Sequence, residues 1–96
     1  MTPATLAMPP DHTVKMWPIH FGRTALGQQS IQIRPNDRNY IEADILLCQE
    51  WLDDDHRYTG RALYGIIQSI HRDQERLPEG CVVLVVLVLA YTESDP

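Results

Sequence analysis

Apolar and polar positions alternate along most of this chain, and one stretch departs from alternation toward a helical spacing. Thr13 to Trp17 (T-V-K-M-W) alternates and predicts a short strand. The segment P-I-H-F-G-R-T-A-L-G that follows carries apolar Ile19, Phe21, Ala25 and Leu26, with Pro18 in the first turn and Gly27 at the stop. That arrangement predicts a short helix over about 18–26, weakened in its middle by Gly22. In S-I-Q-I-R, Ile31 and Ile33 fall on one face of a strand and Gln32 and Arg34 on the other. Pro35-Asn36-Asp37 supplies turn chemistry, and D-I-L-L-C-Q-E-W-L predicts a strand over 44–52. After a charged loop, Asp53 to His56, the stretch R-A-L-Y-G-I-I-Q-S-I-H-R reads as a long strand, continuous or bulged near Gly65. A polar link over 73–80 precedes C-V-V-L-V-V-L-V-L-A-Y, whose unbroken apolar run predicts a central strand buried on both faces.

Five or six strands with one or two short helices indicate a mainly β (α+β) fold, a small barrel whose closure hides its sheet edges. Helical crossovers are too few for a parallel α/β sheet. The expected organisation is a disordered lead-in over 1–10, one domain over 11–91 and a flexible tail over 92–96.

Composition narrows the classes. With 96 residues, 44% of them hydrophobic, the chain makes one small globular domain. Cys48 and Cys81 sit in apolar runs with no C-x-x-C, which suits buried thiols in a reducing compartment. Residues 1–10 have neither the basic nor the apolar region of a signal peptide, and Cys81 to Ala90 is too short to cross a bilayer as a helix. A cytoplasmic protein with no membrane partner is expected. The net charge of −5 is uneven: residues 1–41 carry Lys15, Arg23, Arg34 and Arg38 against two acids, whereas 42–96 carry four arginines against eleven acids. The whole molecule is thus a poor non-specific polyanion binder, but its first half can build a local basic site.

Several motifs occur in a suggestive order. His12 and Lys15 precede the helix; Gly27, Ile33, Arg34, Asn36, Asp37 and Arg38 form a G-x5-I-R-x-N-D-R core; Asp44, Leu46, Glu50 and Trp51 mark the next strand; Tyr58-Thr59-Gly60-Arg61 and the Cys81 to Leu84 run follow. In these features, over roughly residues 11–89, the chain resembles the ASCH branch of the PUA-like superfamily, small β-barrels associated with RNA, and within it a bacterial and phage group of unknown function. Ala43 stands where that group has glycine before the strand's aspartate, which predicts a turn rebuilt without a positive φ. Amidohydrolases of the wider superfamily, which act on acetylated cytidine, read G-x-K-T-x-T-x-R after the helix and use the lysine, the second threonine and a glutamate elsewhere. Here Gln29 and Gln32 hold the lysine and threonine positions. An amide is neither a nucleophile nor a general base near neutral pH, so the reading leans away from an enzyme.

The resemblance and the local charge make Lys15, Gln32, Arg34, Asn36, Asp37 and Arg38 the candidate ligand- or RNA-binding residues. The arginines offer forked donors to phosphate or base edges, Asn36 an amide edge, and Asp37 a partner to orient an arginine. The competing reading is an internal ion-pair and turn network that pins the barrel. Arg34, on the Gln32 face, is the first choice for the pocket. Trp17, Trp51, Tyr40 and Tyr58 suit either core and rim positions or base stacking. Glu50, if buried, needs a partner such as Arg61. The four histidines lack zinc spacing, and no cofactor is expected. The leading function is an RNA- or modified-nucleotide-binding module. The alternatives are a small nucleoside amidohydrolase-like enzyme with altered groups, or a protein-interaction factor that binds through its acidic second half and long valine strand, with a weak homodimer as one form; a stable dimer lost on charging Val88 would favour it.

Overall fold

The computed structural model describes residues 9–72 and 77–93. Most of the expected lead-in, part of the polar link and the last three residues of the expected tail lie outside the described residues. Five strands and one helix follow in order: β1 (His12–Met16), α1 (Pro18–Ala25), β2 (Ile31–Pro35), β3 (Ile45–Leu52), β4 (Arg57–His71) and β5 (Cys81–Glu93). They form one sheet in the order β1-β3-β4-β5-β2 that curls into a half-barrel. The mainly β fold with one short helix is thus the one the alternation predicts. Among the described residues no helix is long and apolar enough to cross a membrane.

β-Branched residues dominate β5, and its alternate positions Val82, Leu84 and Val86 fill the core with Leu63 and Ile67 of β4 and Leu46 and Cys48 of β3. Curvature comes from two register shifts between β4 and β5, at Tyr64/Gly65 and Ile67/Ser69, because an extra residue on one strand bends and twists the ladder. Gly65 is required at the first of these. A Cβ there would run into the Val86 side chain and the Leu87 carbonyl. Of the two readings of this strand, continuous or bulged near Gly65, the bulged one is observed, and the close approach of β5 is what calls for glycine there.

Four expectations change. The closing run is buried on one face only, and Leu87 and Leu89 on the other face are exposed. Val88 lies on the inner face and packs against the core, so a charge there would disrupt the core and test no dimer. β4 starts at Arg57 and absorbs the Tyr58-Thr59-Gly60 stretch, while β5 runs to Glu93, pairing Thr92 with Ala62 and Glu93 with Arg61 beyond the expected end of the domain at 91. Finally, the turn before β3 retains a positive φ without glycine: Ala43 sits at φ 74. Its N–H donates to the Ile67 carbonyl at 2.8 Å, and the Asp44 carbonyl accepts from the Ile67 N–H at 3.0 Å, so β4 holds the strained residue in place.

Ala43→Gly should relieve that strain and raise stability by about 1 kcal/mol. The measurement is urea unfolding: a higher midpoint at unchanged slope is expected, and an unchanged or lower midpoint would show that Ala43 bears no strain.

Candidate functional site

Strands β1 and β2 are the two ends of the sheet, and α1 connects them directly. Curling brings these edges toward each other across an open seam. A side chain spans it: Nη1 of Arg34 donates to the Lys15 carbonyl at 2.8 Å. The same guanidinium donates from Nε (3.1 Å) and Nη2 (3.0 Å) to Oε1 of Gln32. The Gln32 amide in turn donates to Sγ of Cys48 at 3.7 Å on β3.

This chain explains an inversion of polarity in β2. Its alternation holds, but the apolar members face out, with Ile31 at 52% and Ile33 at 59% exposure against 5% for Gln32. Gln32 is buried because Arg34 and Cys48 satisfy its amide, and a buried polar group is tolerable only when so paired. Burial pushes the Cys48 thiol up from its usual pKa, so it remains a neutral partner and no nucleophile.

Two chambers flank the Arg34–Lys15 bridge, and both residues line each one. The first, about 410 Å³, is walled by Met16, Trp17, Ile31 and Ile33, with His20, Gln29 and Gln32 as its further polar groups. Gln29 donates to the Ile31 carbonyl at 3.1 Å, covering that seam-facing acceptor, and its Oε1 lies 3.4 Å from His20 Nδ1. The second chamber, about 320 Å³, is lined by Thr13, Val14, Pro35, Asp37, Arg38, Tyr40 and Tyr58.

The six candidate residues therefore separate. Gln32 and Arg34 form the seam; Asp37 and Arg38 meet at 3.8 Å on the second chamber's exposed wall. Lys15 contributes its carbonyl to the seam, but its ammonium lies 3.9 Å from the centroid of the Trp51 ring, on the opposite face of the sheet from Val14 and Met16. Asn36 lines neither chamber; its backbone N–H donates to the Gly80 carbonyl at 2.7 Å, a turn role. Trp17, His20 and Tyr40 join the site although the candidate set omits them. For Trp17, the available sequence signal is its place between the first strand and Pro18 of the helix; its exposure of 56% is decided by the structure.

Two further polar anchors support the barrel away from the cleft. Glu50, 2% exposed, accepts from Arg61 Nε (2.7 Å) and Nη2 (2.5 Å) and from the Thr59 hydroxyl (2.7 Å), so the expected partner is the observed one. Arg61 also lies over the Phe21 ring of α1, 5.0 Å from its centroid. His12 Nε2 lies 2.8 Å from Asp44 Oδ2, which also accepts from the Ile41 N–H at 3.0 Å, and the His12 ring meets Tyr40 edge-on at 4.7 Å. His12, Asp44, Glu50, Thr59 and Arg61 thus hold the chain together and do not line the first chamber.

Chemically, the first chamber offers an indole, two amides, an imidazole and a guanidinium; among the described residues its lining includes no hydroxyl, thiol or carboxylate. Arg34 has five N–H donors, of which three are engaged. Among the described residues its acceptors are all neutral, whereas Arg61 is paired with the Glu50 carboxylate. Among the described residues no three His, Cys, Asp or Glu side chains gather as a metal site.

Residues 11–86 match the model of a family described as Domain of unknown function (DUF3850). No curated protein matches the chain.

The Arg61 hydrogen bonds, with that of Thr59, hold the Glu50 carboxyl below its usual pKa of 4.5 against the opposing effect of burial. A depressed folded pKa adds stability that is complete above the unfolded value and is lost as the pH falls through the folded one. Glu50→Gln should cost about 2 kcal/mol at pH 7, less than a fully buried pair because Arg61 is partly exposed and water can solvate it. Unfolding followed from pH 7 to pH 3 should show a shallower acid decline than in the wild type. Parallel declines would contradict this role for Glu50.

Proposed function

The chain belongs to the DUF3850 family, and on that premise we propose that it is a binding module for RNA or a modified nucleotide, with the base held in the first chamber of the β1–β2 seam. The observation that carries the reading is the juxtaposition of an exposed Trp17 with the amides of Gln29 and Gln32 and the guanidinium of Arg34. An indole face stacks on any base, typically for about 1–3 kcal/mol, and is sequence-tolerant. Amide and guanidinium groups read base edges through paired donors and acceptors. The similarity to PUA-like modules supports the same ligand class, and the surrounding negative charge favours a short ligand in the cleft over a long duplex on the surface.

An amidohydrolase is the weaker reading. The positions corresponding to the catalytic lysine and threonine carry Gln29 and Gln32, and both amides are engaged in hydrogen bonds that build the seam. Of the groups on the first chamber's lining, the Lys15 amine and the His20 imidazole are the candidates for nucleophile or base, and the Lys15 ammonium lies over the Trp51 ring.

Short single-stranded RNAs and modified nucleosides, titrated at low and moderate salt, test the proposal. Trp17→Ala is the informative variant, because Trp17 contributes to α1 through its backbone carbonyl and makes no side-chain cap. Affinity should fall about tenfold or more. Absence of binding at low salt, or affinity indifferent to Trp17, would remove the reading. Arg34→Ala serves as a control only alongside a stability measurement, since it also opens the seam.

A further inference from the structure

We infer that the second chamber of the seam is a phosphoryl-binding subsite, so that a nucleotide straddles the Arg34–Lys15 bridge with its base on one side and its phosphate between Arg34 and Arg38 on the other. The inference rests on the proposed nucleotide reading for the identity of the ligand, but its own observations are separate.

Arg34 and Arg38 both line this chamber, and Tyr40 sits at its wall. Arg34 retains two N–H donors after its bonds to Gln32 and Lys15. Arg38 is loosely held: its ion pair with Asp37 is 3.8 Å long and solvent-exposed on both sides, a contact worth little in water. An oxoanion with several acceptor oxygens can therefore draw Arg38 inward at small cost. Forked guanidinium donors match phosphate geometry bidentately, which a lysine cannot do. The charges of Arg38 and Arg34 both bear on the Tyr40 phenol, whose burial nevertheless raises its pKa and keeps the hydroxyl protonated. A protonated phenol beside two arginines completes a donor-rich surface. Among the described residues Asp37 is the one acidic member of the lining, and its carboxylate opposes an incoming anion.

The chamber's volume of about 320 Å³ lies near the small end of ligand pockets and suits a phosphate with part of its sugar. Lys15 lies at the divider with its ammonium over Trp51, so it adds positive potential and no direct contact in this arrangement.

Calorimetric titration of the full chain with a free nucleoside and with its 3′- and 5′-monophosphates, at constant ionic strength made up with chloride, tests the inference. One monophosphate at least should bind about tenfold or more tightly than the nucleoside, as charge-assisted hydrogen bonds predict. Arg38→Ala should bring that ratio near one, and Asp37→Asn should raise it. Equal affinities for nucleoside and monophosphates in the wild type, or a ratio unmoved by Arg38→Ala, would overturn the subsite while leaving the base-binding reading intact. Inorganic phosphate followed by NMR separates the two ideas. Shifts at Arg38 and Tyr40 without any nucleoside binding would support the subsite and remove the base reading, and phosphate that moves neither residue would overturn the subsite.

Discussion

The guanidinium of Arg34 joins two sheet edges that backbone hydrogen bonds do not join, and the cleft exists because of it. An open sheet leaves N–H and C=O groups unpaired along its end strands, which invites pairing with other chains. Complete closure would remove those edges and the cleft with them. One side chain reaching from β2 to the β1 carbonyl holds the edges at a working distance, and Gln29 covers the Ile31 carbonyl nearby. Gln32 is what aims that side chain. A leucine at 32 would bury more apolar surface, but it would leave two guanidinium N–H groups without their acceptor.

The same device accounts for the chemistry available to a ligand. Arg61 and Arg34 are both anchored by several hydrogen bonds, yet their electrostatic consequences differ. Glu50 cancels the charge of Arg61, which therefore serves the barrel. Arg34 is held by an amide and a carbonyl and keeps its full charge beside the cleft. A positive group whose hydrogen-bond acceptors are neutral is preorganised for an anion, so little reorganisation of that side chain is needed when a ligand arrives.

Much of the architecture was legible from local pattern. The strand at S-I-Q-I-R, the helix from Pro18, a long fourth strand with Gly65 as the place for a bulge, and the Glu50–Arg61 pair all follow from alternation, proline placement, glycine and the cost of burying a carboxylate. The site was only half legible. Gln32 and Arg34 could be placed on one face, but alternation is symmetric: it says that two faces differ and leaves open which one is inside. The usual rule, isoleucines inward, is reversed in β2 because the interior at that point supplies acceptors and donors. Ala43 departs from local expectation for a related reason. A positive φ ordinarily favours glycine, whereas backbone hydrogen bonds to β4 hold alanine there.

The amino-acid sequence by itself determined the elements, because period-two alternation, β-branched runs and turn residues act over a few neighbouring positions. It also determined the reservoir of chemistry: a net basic first half in an acidic chain, with glutamines at positions 29 and 32. Only the tertiary structure decided which strands became the edges, that Arg34 spans them, that Lys15 turns its ammonium to Trp51, and that Asn36 leaves the site for a turn. Those outcomes depend on curvature accumulated over β4 and β5, and on contacts between residues as far apart as Lys15 and Arg34 or Asn36 and Gly80. Local pattern carries no record of such distances; packing across the sheet sets them.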